Sequence, residues 1–164
     1  MVMAEYDIAF GEKLADVARL VVNDGLDTLD AKRAVLYLSL LATEITLKAL
    51  LEKAGKPVPD IRARSHNLRT LLEDVTECMI QGEVAPGVLK QVPAMRLRSV
   101  NVDPNYGDAT VGRMLEAEDA GASKYPNQVR YGNSLRHYPP ELISKMSSDI
   151  VAWAKQHWDD IHVR

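Results

Sequence analysis

Residues 31–54, AKRAVLYLSLLATEITLKALLEKA, decide the fold. From Ala34 to Leu51 the only strongly polar side chains are Glu44 and Lys48, while Ser39, Thr43 and Thr46 are small hydroxyls able to bond back to the helix's own carbonyls. A helix that is apolar on nearly every face must be enclosed by other elements. It is too interrupted to span a bilayer, which needs roughly 20 apolar residues without charges. The expectation is an all-α protein: an up-and-down bundle of four to five helices around this long central helix, with an irregular insertion. Glu44 stands out, because an unpaired buried carboxylate costs several kcal/mol, of order 1–5. Lys48 follows at i+4 in the favourable orientation. Glu44 reads first as a structural ion pair and second as a site residue, since perturbed carboxylates gather at sites.

Composition sets the surroundings. The chain has 164 residues, 46% hydrophobic and 26% charged, which suits one domain spanning 1–164 with a core that needs no staples. The single cysteine, Cys78, rules out an internal disulfide and reads as core filler on the apolar face of a predicted helix. The opening MVMAEYDIAFGEK has acidic residues where a signal peptide has a basic flank, and no long apolar run follows, so a cytoplasmic protein is expected. A net charge of −3 gives no global basic footprint for nucleic acid, so any such contact needs a local patch.

Outward from the central helix, residues 5–23 carry Ile8, Phe10, Leu14, Val17, Leu20 and Val21 at helical spacing, with Gly25 as the stop. Gly55, Lys56 and Pro57 end the central helix, and Pro59 argues against a quick restart. Ser65 is expected to cap a third helix, HNLRTLLEDVTECMIQ, closed by Gly82. Short connections favour antiparallel neighbours. Val88, Leu89, Val92, Met95 and Leu97 suggest a fourth helix interrupted at Pro93. No strand pattern stands out. Between Asn101 and Pro126 only ATVGRMLEAEDA reads as helical, and 82–128 is taken as an irregular insertion or extra helices. Pro139 and Pro140 open a last helix whose stripe includes Leu142, Met146, Ile150, Trp153 and Trp158, both tryptophans being read as core.

Chemistry concentrates in KYPNQVRYGNSLRHY, residues 124–138. Lys124, Arg130 and Arg136 are interleaved with Tyr125, Tyr131 and Tyr138, without an acid, a pattern suited to phosphate contact and base stacking. Its plainer reading is a solvated loop anchored by its tyrosines. Six residues separate Arg130 from His137. An arginine there could hold a phosphate while a histidine moves protons. His66 opens the third helix within reach of Glu44, and a structural Glu44–His66 hydrogen bond is the favoured reading of that pair. His157 and His162 read as surface or edge residues. No set of metal ligands has convincing spacing, no glycine-rich loop follows a strand, and no GxSxG serine elbow occurs. No cofactor is implied.

Taken together, ATEITLKALLEKAGK, a short Pro-containing linker, SHNLRTLLEDV, and Arg130-Tyr131 before a last helix with VAWA and Trp158 resemble the HEPN superfamily, in particular HEPN proteins associated with minimal nucleotidyltransferases. The resemblance covers roughly residues 5–80 and 129–160. It implies a helical bundle that dimerises, often through its long helices. It also implies membership of a toxin–antitoxin or defence module, with a nucleotidyltransferase as a protein partner. Some members are metal-independent ribonucleases built on an arginine, four to six residues and a histidine, a spacing that Arg130 and His137 satisfy. In those enzymes the histidine is general acid/base and the arginine holds phosphate across the dimer. Tyr131 and Gly132 depart from the usual motif. Two readings follow. The first is a dimeric binding module for a nucleotide, RNA or a nucleotidyltransferase partner, using Lys124, Arg130, Tyr131 and Arg136. The second is a metal-independent RNase using Arg130 and His137. In both, Glu44, Lys48 and His66 serve structure or site, no metal is used, and no membrane is involved.

Overall fold

The central helix is α2, Leu29–Ala54, capped by Thr28 Oγ1 on the Ala31 N–H and closed by Gly55 at φ +100°. In the computed structural model, which describes residues 3–120, 125–131 and 138–164, fourteen α2 residues are buried, from Val35 to Ala54. By length and composition the apolar middle of α2 passes for a membrane-crossing stretch, contrary to the expectation from its interruptions. Its apolar window is 72% buried against the rest of the chain, as a bundle core requires.

Helix α1, Ile8–Asp24, packs antiparallel on α2, and α7, Pro140–Gln156, covers both. The face α1 turns inward is not the large apolar one. Gly11, Leu14, Ala15 and Ala18 are buried, whereas Phe10 (50%), Val17 (37%) and Leu20 (65%) are exposed. Small residues let the two backbones approach closely: a Cβ on Gly11 would lie 2.6 Å from Thr46 Oγ1 on α2. The hydroxyls of Thr46 and Ser39 are buried on α2 without a hydrogen-bond partner.

After α2 the chain turns back through α3, Val58–Ala63, a short helix that Pro59 enters in its first turn, where a proline is tolerated. The chain then reverses again at Ser65, whose φ of +53° is left-handed. Asn67, not Ser65, caps α4 (Leu68–Glu77) through Oδ1 on the Thr70 N–H. His66 lies beside Glu44 while Asp74 lies beside Lys56, so α4 runs in the same direction as α2 rather than antiparallel to it.

The expected long third helix stops at Glu77. Met79–Ala85 is strand β1 and Val88–Pro93 is β2, an antiparallel hairpin turning at Gly87 with φ +73°. Gly82 is a strand residue instead of a helix stop, and a Cβ there would meet Val92 at 2.4 Å. The expected fourth helix is therefore a strand followed by a 3-10 turn, Ala94–Ser99. Helix α5, Val111–Asp119, matches its expectation and is capped by Thr110, and α6 is Asn127–Tyr131. The C-terminal residues bind the whole: Met79 and His162 exchange backbone hydrogen bonds, and the Val163 N–H donates to the Ala54 carbonyl. Trp153 is buried and Trp158 packs partly buried against the same core.

Thr46 is β-branched and stiff, so it cannot easily yield to a methyl on Gly11. Overpacking costs of about 1–3 kcal/mol outweigh the helix-propensity gain of up to about 1 kcal/mol. Gly11→Ala is therefore expected to destabilise the fold by up to about 2 kcal/mol. In a Thr46→Ala background the same change should be neutral or stabilising. Urea denaturation of the four proteins of this cycle checks both outcomes.

Candidate functional site

Glu44 is the organising group of the site. Its side chain is almost completely buried, and three elements supply its donors. Lys48 Nζ, one turn along α2, donates to Oε1 at 2.8 Å. His66 Nδ1 lies 3.1 Å from each carboxylate oxygen. The Tyr125 hydroxyl donates to Oε2 at 2.5 Å. The left-handed turn at Ser65 precedes His66, and Glu118 on α5 accepts the Tyr125 N–H at 2.6 Å, which holds Tyr125 ahead of α6.

Burial alone would raise the Glu44 pKa, but hydrogen bonds from Lys48, Tyr125 and His66 outweigh it and hold the carboxyl below its ordinary value. Burial, and then the bond to Glu44, push the Tyr125 phenol far upward, so it stays protonated and donates. With Nδ1 on Glu44, the imidazole of His66 is half-exposed.

The rings extend this cluster along the surface. His66 and Tyr125 meet edge to face with centroids 6.1 Å apart, and Tyr125 and Tyr37 lie 6.2 Å apart. Tyr37 then meets Arg130 of α6. The Arg130 Nε and Nη2 donate to the Tyr37 hydroxyl at 3.1 and 2.6 Å, and its guanidinium carbon is 5.1 Å from the ring centroid. Arg33 of α2 holds α6 from below: Nε donates to the Val129 carbonyl at 3.2 Å and Nη2 to the Arg130 carbonyl. A shallow open groove of about 460 Å³, lined by Asp30, Arg33, Tyr37, Val129 and Arg130, faces solvent here, with two guanidiniums against one exposed carboxylate. On the other side of Tyr125, a deeper cleft of about 340 Å³ opens between the α3–α4 turn and the end of α5.

Of the residues singled out in the sequence, Glu44, Lys48 and His66 meet in one cluster, and Arg130 lies at its far end, joined through Tyr37 and Tyr125. Lys124, Arg136 and His137 lie outside the described residues, so the Arg130–His137 pair has no described geometry. Tyr131 is the last residue of α6. Among the described residues no group of His, Cys, Asp or Glu side chains could hold a metal ion. Cys78 is buried, and burial raises its thiol pKa to about 11, the opposite of an activated nucleophile.

Sequence reasoning missed Tyr37 and the bond from Tyr125. Tyr37 precedes Glu44 by seven residues, two helical turns, so a shared stripe of α2 was the available signal. Comparison with known proteins finds no matching family model, no similar curated protein and no similar solved structure.

Glu44→Ala leaves Lys48 buried beside an unmatched tyrosine hydroxyl and should destabilise the fold by about 3–5 kcal/mol. The pH dependence has a defined sign. The folded-state pKa lies below the unfolded one, so the Glu44 contribution is fully present above the ordinary glutamate pKa of about 4.3 and is lost as the pH falls through the folded value. Denaturation at pH 7 and at pH 3 should show the penalty of Glu44→Gln shrinking in acid, whereas an equal penalty at both would contradict the assignment.

Proposed function

We propose that the chain is a dimeric, HEPN-like binding module that takes the phosphate of a nucleotide or single-stranded RNA at Arg130. The observation that carries this reading is the mounting of Arg130. A guanidinium resting on the Tyr37 hydroxyl, on a short helix clamped by Arg33, is pre-organised beside an open groove. A planar fork of donors matches phosphate oxygens, and pre-organisation lowers the entropy lost on binding. The sequence places Lys124 and Arg136 within six residues of Arg130 on either side, which supports a local basic patch in an acidic chain.

The dimer half of the reading draws on α1. Phe10, Val17 and Leu20 form an exposed row spaced seven and three residues apart, the spacing of a helix–helix seam. Leu38, Leu41 and Ile45 extend a similar partly buried row on the neighbouring α2. A second copy presenting the same face buries both rows at once, as a two-fold interface does.

Two measurements test the halves separately. Arg130→Ala should weaken binding of a fluorescent single-stranded RNA or nucleotide about tenfold and lower the salt slope by about one. Unchanged affinity and slope would overturn the phosphate assignment. Run in excess chelator with His137→Ala alongside, the same preparations report on cleavage, and cleavage lost only in that variant would move the module to the ribonuclease reading. For the dimer, Phe10→Asp with Leu20→Asp should convert a sedimenting dimer into a folded monomer; a wild-type monomer at all concentrations removes that half.

A further inference from the structure

The cleft on the far side of Tyr125 is not used by the phosphate contact above. We propose that it is a nucleobase pocket, and that the base it fits is guanine. The inference rests on the nucleotide reading and specifies which nucleotide.

Charge balance argues against a second phosphate in this cleft. Two guanidiniums line it, but both are matched. Arg64 is bidentate to the buried Asp74 at 2.7 and 3.2 Å, and Arg69 bonds Glu73 at 3.1 Å and Asp119 at 3.2 Å. Glu118 adds a further carboxylate to the wall that already carries Asp119. A dianion entering here meets as much negative as positive charge and gains little. A neutral ring with both donors and acceptors on its edge gains more.

The lining suits such a ring. The side wall is aromatic, with Tyr125 and His66 at 6.1 Å in an edge-to-face arrangement. The polar groups at the rim are of both kinds. Asp119 engages Arg69 through Oδ2 only, and its Oδ1 can accept from ring N–H and exocyclic NH₂ groups. Arg69 keeps Nη2, and Asn67, which uses Oδ1 as the α4 cap, keeps its amide NH₂; both donate. Guanine offers adjacent N–H and NH₂ donors beside a carbonyl acceptor, the complement of a carboxylate next to a guanidinium. Adenine presents no such donor pair beside an acceptor carbonyl, and would leave the carboxylate facing an unpaired acceptor.

Location connects the two subsites. Tyr37 lines the Arg130 groove and Tyr125 lines the cleft, and their centroids are 6.2 Å apart. On this proposal a phosphate at Arg130 and a base against Tyr125 belong to one nucleotide or to neighbouring residues of one strand.

The experiment is calorimetric titration of the purified full chain with GMP, AMP, CMP and UMP, and with guanosine, repeated for Asp119→Asn and Arg130→Ala. The inference expects GMP to bind about tenfold or more tighter than AMP, since a mismatched base edge costs roughly one decade or more. It expects Asp119→Asn to remove that preference while AMP affinity stays put, and Arg130→Ala to weaken all four nucleotides without changing their order. Four equal affinities, insensitive to Asp119→Asn, overturn the base pocket and leave the phosphate reading standing. Guanosine bound as tightly as GMP, with Arg130→Ala silent, supports the pocket and overturns the phosphate site. Binding of none of the five overturns both. Asp119 lies at the surface end of α5, and a thermal melt of each variant confirms that the fold is kept.

Discussion

A carboxylate buried in an otherwise apolar helix has to be surrounded by donors, and Glu44 gathers them from three places in the chain. Lys48 comes from its own helix, His66 from 22 residues on and Tyr125 from 81 residues on. Each bond adds a polar tie to a segment that the core also holds through Leu68, Tyr125 and Val129. Glu44 ties His66 before α4 and Tyr125 before α6 to α2, beside the hold that Arg33 has on α6. Buried ion pairs add little net stability over a well-packed apolar alternative. Their consequence here is geometric: the cluster sets where α4 begins and where α6 lies.

A second carboxylate does the same at the other end of α2. Asp74 is buried and accepts from Arg64 and Lys56. Glu44–His66 and Asp74–Lys56 together hold α4 alongside α2 at two levels, which fixes its direction. The six residues of α3 and the left-handed Ser65 let the chain travel back up before α4 descends. A bundle of consecutive antiparallel helices would need no such return, and a positive φ at a serine would be strain without use.

Much of this was legible in the residues. The all-round apolar character of α2, the i+4 ion pair, and the reach of His66 to Glu44 follow from spacing and from the cost of burying charge. Helices α5 and α7 were visible through their periodicity and starting residues. The hairpin was not. Val88, Leu89 and Val92 mimic one turn of helix in spacing, but in β2 Val88 and Leu89 are exposed, so no alternation of apolar and polar residues marked the strand. The signal was Pro86-Gly87, a turn dipeptide with Val84 and Val88 on its flanks. On α1 Leu14 is core as its spacing suggests, but Phe10, Val17 and Leu20 are not, because the tight approach to α2 selects Gly11, Ala15 and Ala18. Periodicity counts hydrophobic residues and is blind to how closely two backbones come. Tyr125 read as a loop aromatic because its partner is 81 residues away, and no local pattern encodes that distance.

The same frame bears on how an acidic chain could hold an anionic ligand. At physiological ionic strength charges are screened beyond about 8 Å, so a net charge of −3 neither attracts nor strongly repels a nucleotide that has already arrived. What matters is the rigidity of the few groups in contact with it. Arg130 sits on Tyr37, Tyr37 stands on the most enclosed helix of the bundle, and Tyr125 beside it is tied to the buried Glu44. A guanidinium mounted this way gives up little side-chain freedom on meeting a phosphate, whereas a surface lysine of equal charge gives up much of its own. The carboxylate that the apolar core has to accommodate is thus also what keeps the far end of the site in register.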